Sequence, residues 1–332
     1  MKVLTTVPGK EGKFWGTHTE LADSLCVDAL YGGWPVYKRY LAGVNIAFKM
    51  LFKRHKYDVV VLDGGPMGQC FSWLQSLVTF GRVPTVMIDC LWYRSEKPLL
   101  QVIKRMHKRL SARSVDCFVV WARHEVEDYS EEFDIPKDKF VYVPFFHTLA
   151  GYEYSVADEP FVFAGGNGDR DYKVLVEAVR GLDIPVFIAT TDSSLLQGVS
   201  IPENVTVKGI TPQEFRQKMA SCRIAAVCMR GGALHSGGQQ TFLNSMMMGK
   251  PTVVVGRRIA EGYVQDGENG RVVEYGDVQA LRQVLTELWQ SEAERRHIAE
   301  AAKKTAEALD AETCMRAVYE EARRVSVGRV VP

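Results

Sequence analysis

The chain has 332 residues, long for one domain and suited to two at roughly 150 residues each. Its 46% hydrophobic and 24% charged residues are those of an ordinary globular protein. Apolar runs broken well short of the ~20 residues of a membrane span exclude a transmembrane protein, and a net charge of +1 without a binding motif argues against nucleic acid as a partner.

Taken in order, strand-like and helix-like segments alternate almost throughout. Val3–Val7 reads as a strand, and because no cleavable signal pattern precedes it, a cytoplasmic location is expected. A loop holding Phe14, Trp15 and His18 leads to a helix expected near Thr19–Asp28. A basic helix over Tyr37–Lys56 follows, with Lys38, Arg39, Lys49, Lys53, Arg54 and Lys56 and no acid. Asp58–Asp63 (D-V-V-V-L-D) has the continuous apolar character of a strand buried on both faces. A helix over Met67–Phe80 and a strand over Pro84–Ile88 come next. A second basic helix, Leu99–Arg113, carries Lys104, Arg105, Lys108, Arg109 and Arg113, again without an acid. The strand Cys117–Trp121, a helix over Glu125–Phe133 and the strand Phe140–Val143 complete this half. Repeated βα units of this kind favour a parallel sheet with helices on both faces.

Residues 1–150 hold 20 Lys and Arg against 16 Asp and Glu, leaving 21 against 24 for the remainder. The positive excess sits in the two basic helices, where Leu, Phe, Ile and Met are interleaved. That pattern suits either a solvated face or contact with an anionic membrane surface, to which each nearby cation contributes about 1 kcal/mol.

Residues 144–159 lack periodicity and read as an interdomain linker. A second βα series opens at Phe161 (F-V-F-A-G-G-N-G), with further strands at Pro185–Ala189, Val205–Lys208, Arg223–Cys228 and Thr252–Val255. From Asp277 onward the chain is mostly helical. The seven cysteines are odd in number and without C-x-x-C spacing, so they are expected to be reduced core residues.

The chain is organised around Met229–Pro251, M-R-G-G-A-L-H-S-G-G-Q-Q-T-F-L-N-S-M-M-M-G-K-P. A strand leads into a glycine-rich loop, then a helix over about Gln239–Met248 ending at Gly249 and Pro251. The first N–H groups of such a helix lack internal partners and the helix dipole favours negative charge there. The dipole alone contributes only about 0.3–1 kcal/mol at an exposed site, so a diphosphate would need loop N–H groups and a cation as well. Arg230 and His235 are candidates.

Three blocks resemble the group-one (family-four) glycosyltransferases of the GT-B fold. F-V-F-A-G-G-N-G-D-R-D-Y-K-V-L-V-E-A-V is similar to the strand, glycine loop and helix opening their donor domain. Q-Q-T-F-L-N-S-M-M-M-G-K-P-T-V-V-V and V-Q-D-G-E-N-G-R-V-V-E-Y-G-D-V-Q-A-L resemble two later blocks of that domain. The resemblance implies an α/β chain of two Rossmann-like domains facing a cleft. The domains would be residues 1–148 on the acceptor side and 149–309 on the donor side, with a C-terminal helix, 310–332, packing back on the first. It also implies sugar transfer from a nucleotide-diphosphate sugar to a saccharide or lipid-linked acceptor, in polysaccharide or glycolipid synthesis, which the basic helices of the first half would place at the inner face of a membrane. A sugar-nucleotide epimerase and a non-catalytic nucleotide-sugar-binding scaffold are the alternatives.

Carried over position by position, the resemblance assigns Gly166, Arg170 and Lys173 to the donor diphosphate, the two cations lying three residues apart on one helical face. Gly237 and Gly238 form the turn before the donor-facing helix. Asp266, Gly267, Asn269 and Gly270 match a structural turn. The two glutamates usual in the family are replaced by Ser236 and Asn244, with Gln239 and Gln240 available as compensating polar contacts. The D-R-D of residues 169–171 is out of context for a metal-binding D-x-D, so neither metal nor cofactor is expected. If transfer inverts the anomeric centre a base is required. Candidates are Asp63 first, then Asp89, both at strand C-terminal ends where open α/β sheets bind ligands, and His18.

Overall fold

A computed structural model describes residues 1–7, 19–21, 33–78 and 80–328. The chain forms two compact units, one of Met1–Val143 with Ala311–Pro332, the other of Pro144–Asp310.

The first unit is a six-stranded, wholly parallel sheet in the order β2-β1-β3-β4-β5-β6. Its strands are β1 (Val3–Thr5), β2 (Thr19–Leu21), β3 (Val59–Asp63), β4 (Thr85–Ile88), β5 (Cys117–Val120) and β6 (Phe140–Tyr142). The helix expected from Thr19 is corrected at its start: Thr19–Leu21 pairs in register with Val3–Thr5 as an edge strand, a tertiary pairing that outweighs local preference. His18 lies outside the described residues, as do Phe14 and Trp15.

Helices α1 (Val36–Lys53), α2 (Pro66–Leu77), α3 (Pro98–Ala112) and α4 (Arg123–Phe133) connect strands that step in one direction across the sheet. Right-handed crossovers place all four on one face, where α1 touches α2, α2 touches α3 and α3 touches α4. Gly43, in mid-helix, lets α1 approach α2; a Cβ there would stand 3.0 Å from the Pro66 carbonyl oxygen. The last helix, α11 (Ala311–Val327), lies against β3, β4 and β5. Its buried Cys314, Val318 and Ala322 recur every fourth residue, as a helix seated on a sheet requires.

The second unit is also a six-stranded parallel sheet, in the order β12-β11-β10-β7-β8-β9. Its strands are β7 (Glu159–Gly165), β8 (Val186–Ala189), β9 (Val205–Lys208), β10 (Cys222–Cys228), β11 (Thr252–Val255) and β12 (Arg271–Val273). The helices are α5 (Tyr172–Val179), α6 (Pro212–Ser221), α7 (Gln239–Met247), α8 (Arg257–Ala260), α9 (Val278–Gln290) and α10 (Glu292–Glu307). Their starts follow local rules: Asp171 caps α5, a Thr211–Glu214 capping box opens α6, and Asp277 and Ser291 cap α9 and α10. Gly249, at φ +66°, ends α7, its N–H reaching the Met246 carbonyl.

The stretch read as a linker, residues 144–159, belongs to the second unit and runs into β7 at Glu159. Phe145 N–H donates to the Tyr263 hydroxyl at 2.7 Å, His147 N–H to the Leu309 carbonyl at 3.0 Å, and the buried Lys250 ammonium to the Ala157 carbonyl. Six cysteines (Cys70, Cys90, Cys117, Cys222, Cys228 and Cys314) are buried and unbridged; Cys26 lies outside the described residues.

Candidate functional site

In the second unit β7 and β10 are neighbours, yet the chain leaves them toward opposite edges of the sheet. Their C-terminal ends thus diverge and leave a crevice, the topological switch point at which doubly wound sheets take ligands. The loop after β7 is residues 166–171 and the loop after β10 is residues 229–238, so both glycine-rich stretches meet there.

The two loops are fastened to each other. Asp171 N–H donates to the Cys228 carbonyl at 2.9 Å, Arg230 N–H to the Asp169 carbonyl at 2.9 Å, and Arg170 forms a bridge with Met229. Arg170 is 5% exposed. Its guanidinium donates to the Gly165 carbonyl at 3.1 Å, the Gly168 carbonyl at 3.0 Å and Thr241 Oγ1 at 3.0 Å, and it contacts Met229 Sδ at 2.7 Å. Burial lowers its pKa. The expectation that Arg170 and Lys173 share a helical face is corrected. Arg170 precedes the Asp171 cap and points inward, while Lys173 is exposed on the first turn of α5. The fork that was expected to meet a diphosphate instead braces the two loops. Gly166, at φ +117°, is required for this, since a Cβ would stand 2.9 Å from Arg170 Nη2.

Helix α7 opens on the crevice. Its N-cap is Gly238 at φ +93°, with no side-chain hydrogen bond to the first turn. A Cβ at Gly238 would lie 2.9 Å from Met229 Sδ and 3.2 Å from Val227 Cγ1, so the close packing of loop on strand also demands glycine. A helix start whose N-cap residue offers no side-chain acceptor has the character of an anion site, and Arg230 is exposed in the loop that precedes it. His235 and Ser236 are buried in the loop wall. Gln239 is buried too. With its amide nitrogen turned to the loop it donates to the carbonyls of Ser236 and Gly237, both at 3.1 Å, and so shapes the turn. On the far rim, Asn167 Oδ1 accepts from Thr190 Oγ1 at 2.8 Å and from Thr191 N–H at 3.0 Å, joining the β7 and β8 loops.

Gln240 and Asn244 converge on Thr148. Gln240 Nε2 donates to Thr148 Oγ1 at 2.9 Å, Asn244 Nδ2 donates to the same oxygen at 3.1 Å, and Thr148 N–H donates to Asn244 Oδ1 at 2.8 Å. Sequence reading missed Thr148, because its partners are 92 and 96 positions away. The turn at 266–270 is structural, as expected: Asp266 Oδ1 accepts from Val272 N–H, Asn269 bonds Tyr263 and Thr305, and Gly267 is at φ +77°. An open cavity of about 700 Å3 borders this turn, lined by Arg257, Tyr263, Asp266 and Thr305 among others. Its lining contains no residue of the glycine loops.

In the first unit the switch point lies between β1 and β3, by the order 2-1-3. Asp63 ends β3 there but is 2% exposed, and Thr6 Oγ1 donates to its Oδ1 at 2.8 Å while accepting from its backbone N–H at 2.9 Å. Asp63 ties β3 to the end of β1, and its place as foremost base is corrected by that burial. Asp89, one strand out, is half-buried, with φ +53° and its Oδ1 accepting from Trp121 Nε1 at 2.9 Å. It is the aspartate that the described part of this edge offers to solvent.

Two parallel doubly wound sheets, the second with glycine loops and an uncapped helix at its switch point, are the GT-B architecture. Residues 162–291, within the second unit, match the family model described as "Glycosyl transferases group 1". No curated protein sequence matches the chain. Among solved structures it is similar to HepE of Anabaena in complex with UDP, at 15% identity and a TM-score of 0.68, over 96% of this chain and 98% of that one. It is similar to a glycosyltransferase of Rickettsia africae at 14% identity and a TM-score of 0.68, over 98% of each chain. Sucrose-phosphate synthase of Thermosynechococcus elongatus is similar at 15% identity and a TM-score of 0.68, over 88% of this chain and 79% of that one. At such identities the likeness is one of fold.

Proposed function

We propose that the chain transfers a sugar from a nucleotide-diphosphate sugar to a saccharide or lipid-linked acceptor, in polysaccharide or glycolipid synthesis against the inner face of a membrane. The observation that carries this reading is the uncapped start of α7 at the β7–β10 switch point, within the segment matching the glycosyltransferase family. Relatives of the same fold support it: HepE is described in complex with UDP, with UDP-glucose, and with UDP and glucose.

Transfer breaks the bond between the anomeric carbon and the diphosphate oxygen, whose electron pair leaves with the nucleotide as positive charge spreads over the sugar ring. The N–H groups of the first turn of α7, with Arg230 and Lys173, supply preorganised positive potential for the departing diphosphate. Arg170 acts through the loops it fastens. The acceptor oxygen forms the new bond to the anomeric carbon and gives up its proton; if transfer inverts that centre, Asp89 is the carboxylate that the first unit offers to take the proton. Neither step calls on a metal.

Calorimetry with UDP, GDP, ADP and CMP, with and without magnesium, tests the donor site. Binding of one nucleoside diphosphate, unaffected by chelation and weakened in Arg230→Ala, is the expected result. Binding of none would overturn the reading. Binding without turnover of the cognate sugar nucleotide, for any acceptor, would instead favour a nucleotide-sugar-binding scaffold, to which the loss of both glutamates at Ser236 and Asn244 already points.

A further inference from the structure

The segment that opens the second unit is tied down at close intervals. Phe145 N–H donates to the Tyr263 hydroxyl at 2.7 Å and His147 N–H to the Leu309 carbonyl at 3.0 Å. Leu149 is buried in one cluster with Phe163, Met219 and Met248, and its carbonyl accepts from Tyr152 N–H at 3.1 Å. Thr148 lies between these anchors, so its place beside α7 is fixed from both sides. It meets Gln240, in the first turn of that helix, and Asn244, one turn further on. Positions four apart share a helical face. Thr148 therefore stands on the flank of the turn whose free N–H groups begin α7.

A hydroxyl has two lone pairs to receive hydrogen bonds and one hydrogen to give. Both amides donate to Thr148 Oγ1, Gln240 Nε2 at 2.9 Å and Asn244 Nδ2 at 3.1 Å. The backbone fixes the sense of the Asn244 amide: its Oδ1 accepts the Thr148 N–H at 2.8 Å, so its nitrogen must be the group at Oγ1. With both lone pairs taken, the hydroxyl hydrogen points away from the two amides. Among the described residues no acceptor takes it. Thr148 is half-buried and Gln240 exposed, so a bound molecule can reach the hydroxyl. A carboxylate at position 244, usual in the family this chain resembles, would accept the hydrogen and hold it inward. Asn244 instead turns it outward, as an oriented donor beside the anion-favouring helix start.

We infer that Thr148 donates its hydroxyl hydrogen to an oxygen of the bound nucleoside diphosphate, on the ribose or on a phosphate, with Gln240 and Asn244 as positioning residues that turn it there. This rests on the donor site of the proposed function and adds a residue that reads the ligand. Calorimetry of the full chain with UDP, GDP and ADP tests it, together with the 2′-deoxy and 3′-deoxy forms of whichever binds, each lacking one ribose oxygen. Loss of one neutral hydrogen bond in Thr148→Val weakens binding by about three- to tenfold. Thr148→Ala, which adds no methyl group, shows the same loss, and Thr148→Ser keeps wild-type affinity. Urea midpoints of all three stay near wild type, because Gln240 and Asn244 can turn to water, and so separate a lost ligand contact from a lost fold. A Thr148→Val loss that vanishes for one deoxy form supports the inference and assigns the ribose oxygen. A loss that persists with both supports it and assigns a phosphate oxygen. Wild-type affinity in Thr148→Val and Thr148→Ala, or a Thr148→Ser protein that binds as weakly as they do, overturns the inference and leaves the donor site standing. A wild type that binds none of the nucleotides overturns both.

Discussion

Replacing Arg170 by Met separates a loop brace from a ligand cation. In the structure the guanidinium makes two bonds to backbone carbonyls, one to Thr241 Oγ1 and one contact to Met229 Sδ, at 2.7–3.1 Å. Hydrogen bonds from a charged donor contribute about 1.5–3 kcal/mol each, and a buried carbonyl left without a partner costs about 1–3 kcal/mol. Against this stands the cost of burying the charge, seen in the lowered pKa. The net loss is about 2–4 kcal/mol, a large part of the ~5–15 kcal/mol that a domain possesses. Urea unfolding of the ligand-free protein therefore shows a lower midpoint for Arg170→Met, and for Arg170→Lys as well, because an ammonium cannot reproduce the planar fork. An unchanged midpoint with abolished UDP binding would refute the reasoning and return Arg170 to the diphosphate.

Lys173→Ala and Arg230→Ala, at exposed positions, should leave unfolding within about 0.5 kcal/mol of wild type and weaken nucleoside-diphosphate binding by about tenfold; calorimetry reads both sites. Asp63→Asn should cost about 2 kcal/mol of stability through its buried bond to Thr6, whereas Asp89→Asn should keep the fold and lower transfer by ~100-fold or more if it is the base. Burial lowers the His147 pKa below its ordinary 6.5, with Asp310 opposing. The unfolded chain then takes up this proton first as pH falls, so the stabilisation is full above pH 6.5 and is lost as pH drops through the folded value. Denaturation midpoints from neutral to acid pH should fall less steeply in His147→Gln than in wild type.

Much of the fold was legible because its signals are local. The five apolar-to-acid residues Val59–Asp63 can only be a strand covered on both faces. Gly238 before α7, Gly249 after it and Asp171 before α5 mark helix ends through conformations and caps that depend on a few neighbours. The three-residue strands β2 and β12 escaped notice because only pairing with β1 and β11 defines them. The crevice itself was implicit in the two glycine loops, since both follow strands of one parallel sheet.

What each polar side chain does there was not legible. Arg170 spends its guanidinium on groups up to 71 positions away, and Asp63 on Thr6, 57 positions away. A charge beside a glycine loop reads the same in sequence whether it faces a ligand or a neighbouring carbonyl. Periodicity likewise gave α1 its basic and apolar residues but could not say which apolar side the sheet would cover. Sequence by itself determined the elements and the chemistry of the loops, because these arise from backbone geometry and near neighbours. Tertiary structure alone decided which charges are consumed within the fold and which stay at its surface, because desolvation and hydrogen-bond partners are set by residues distant in the chain.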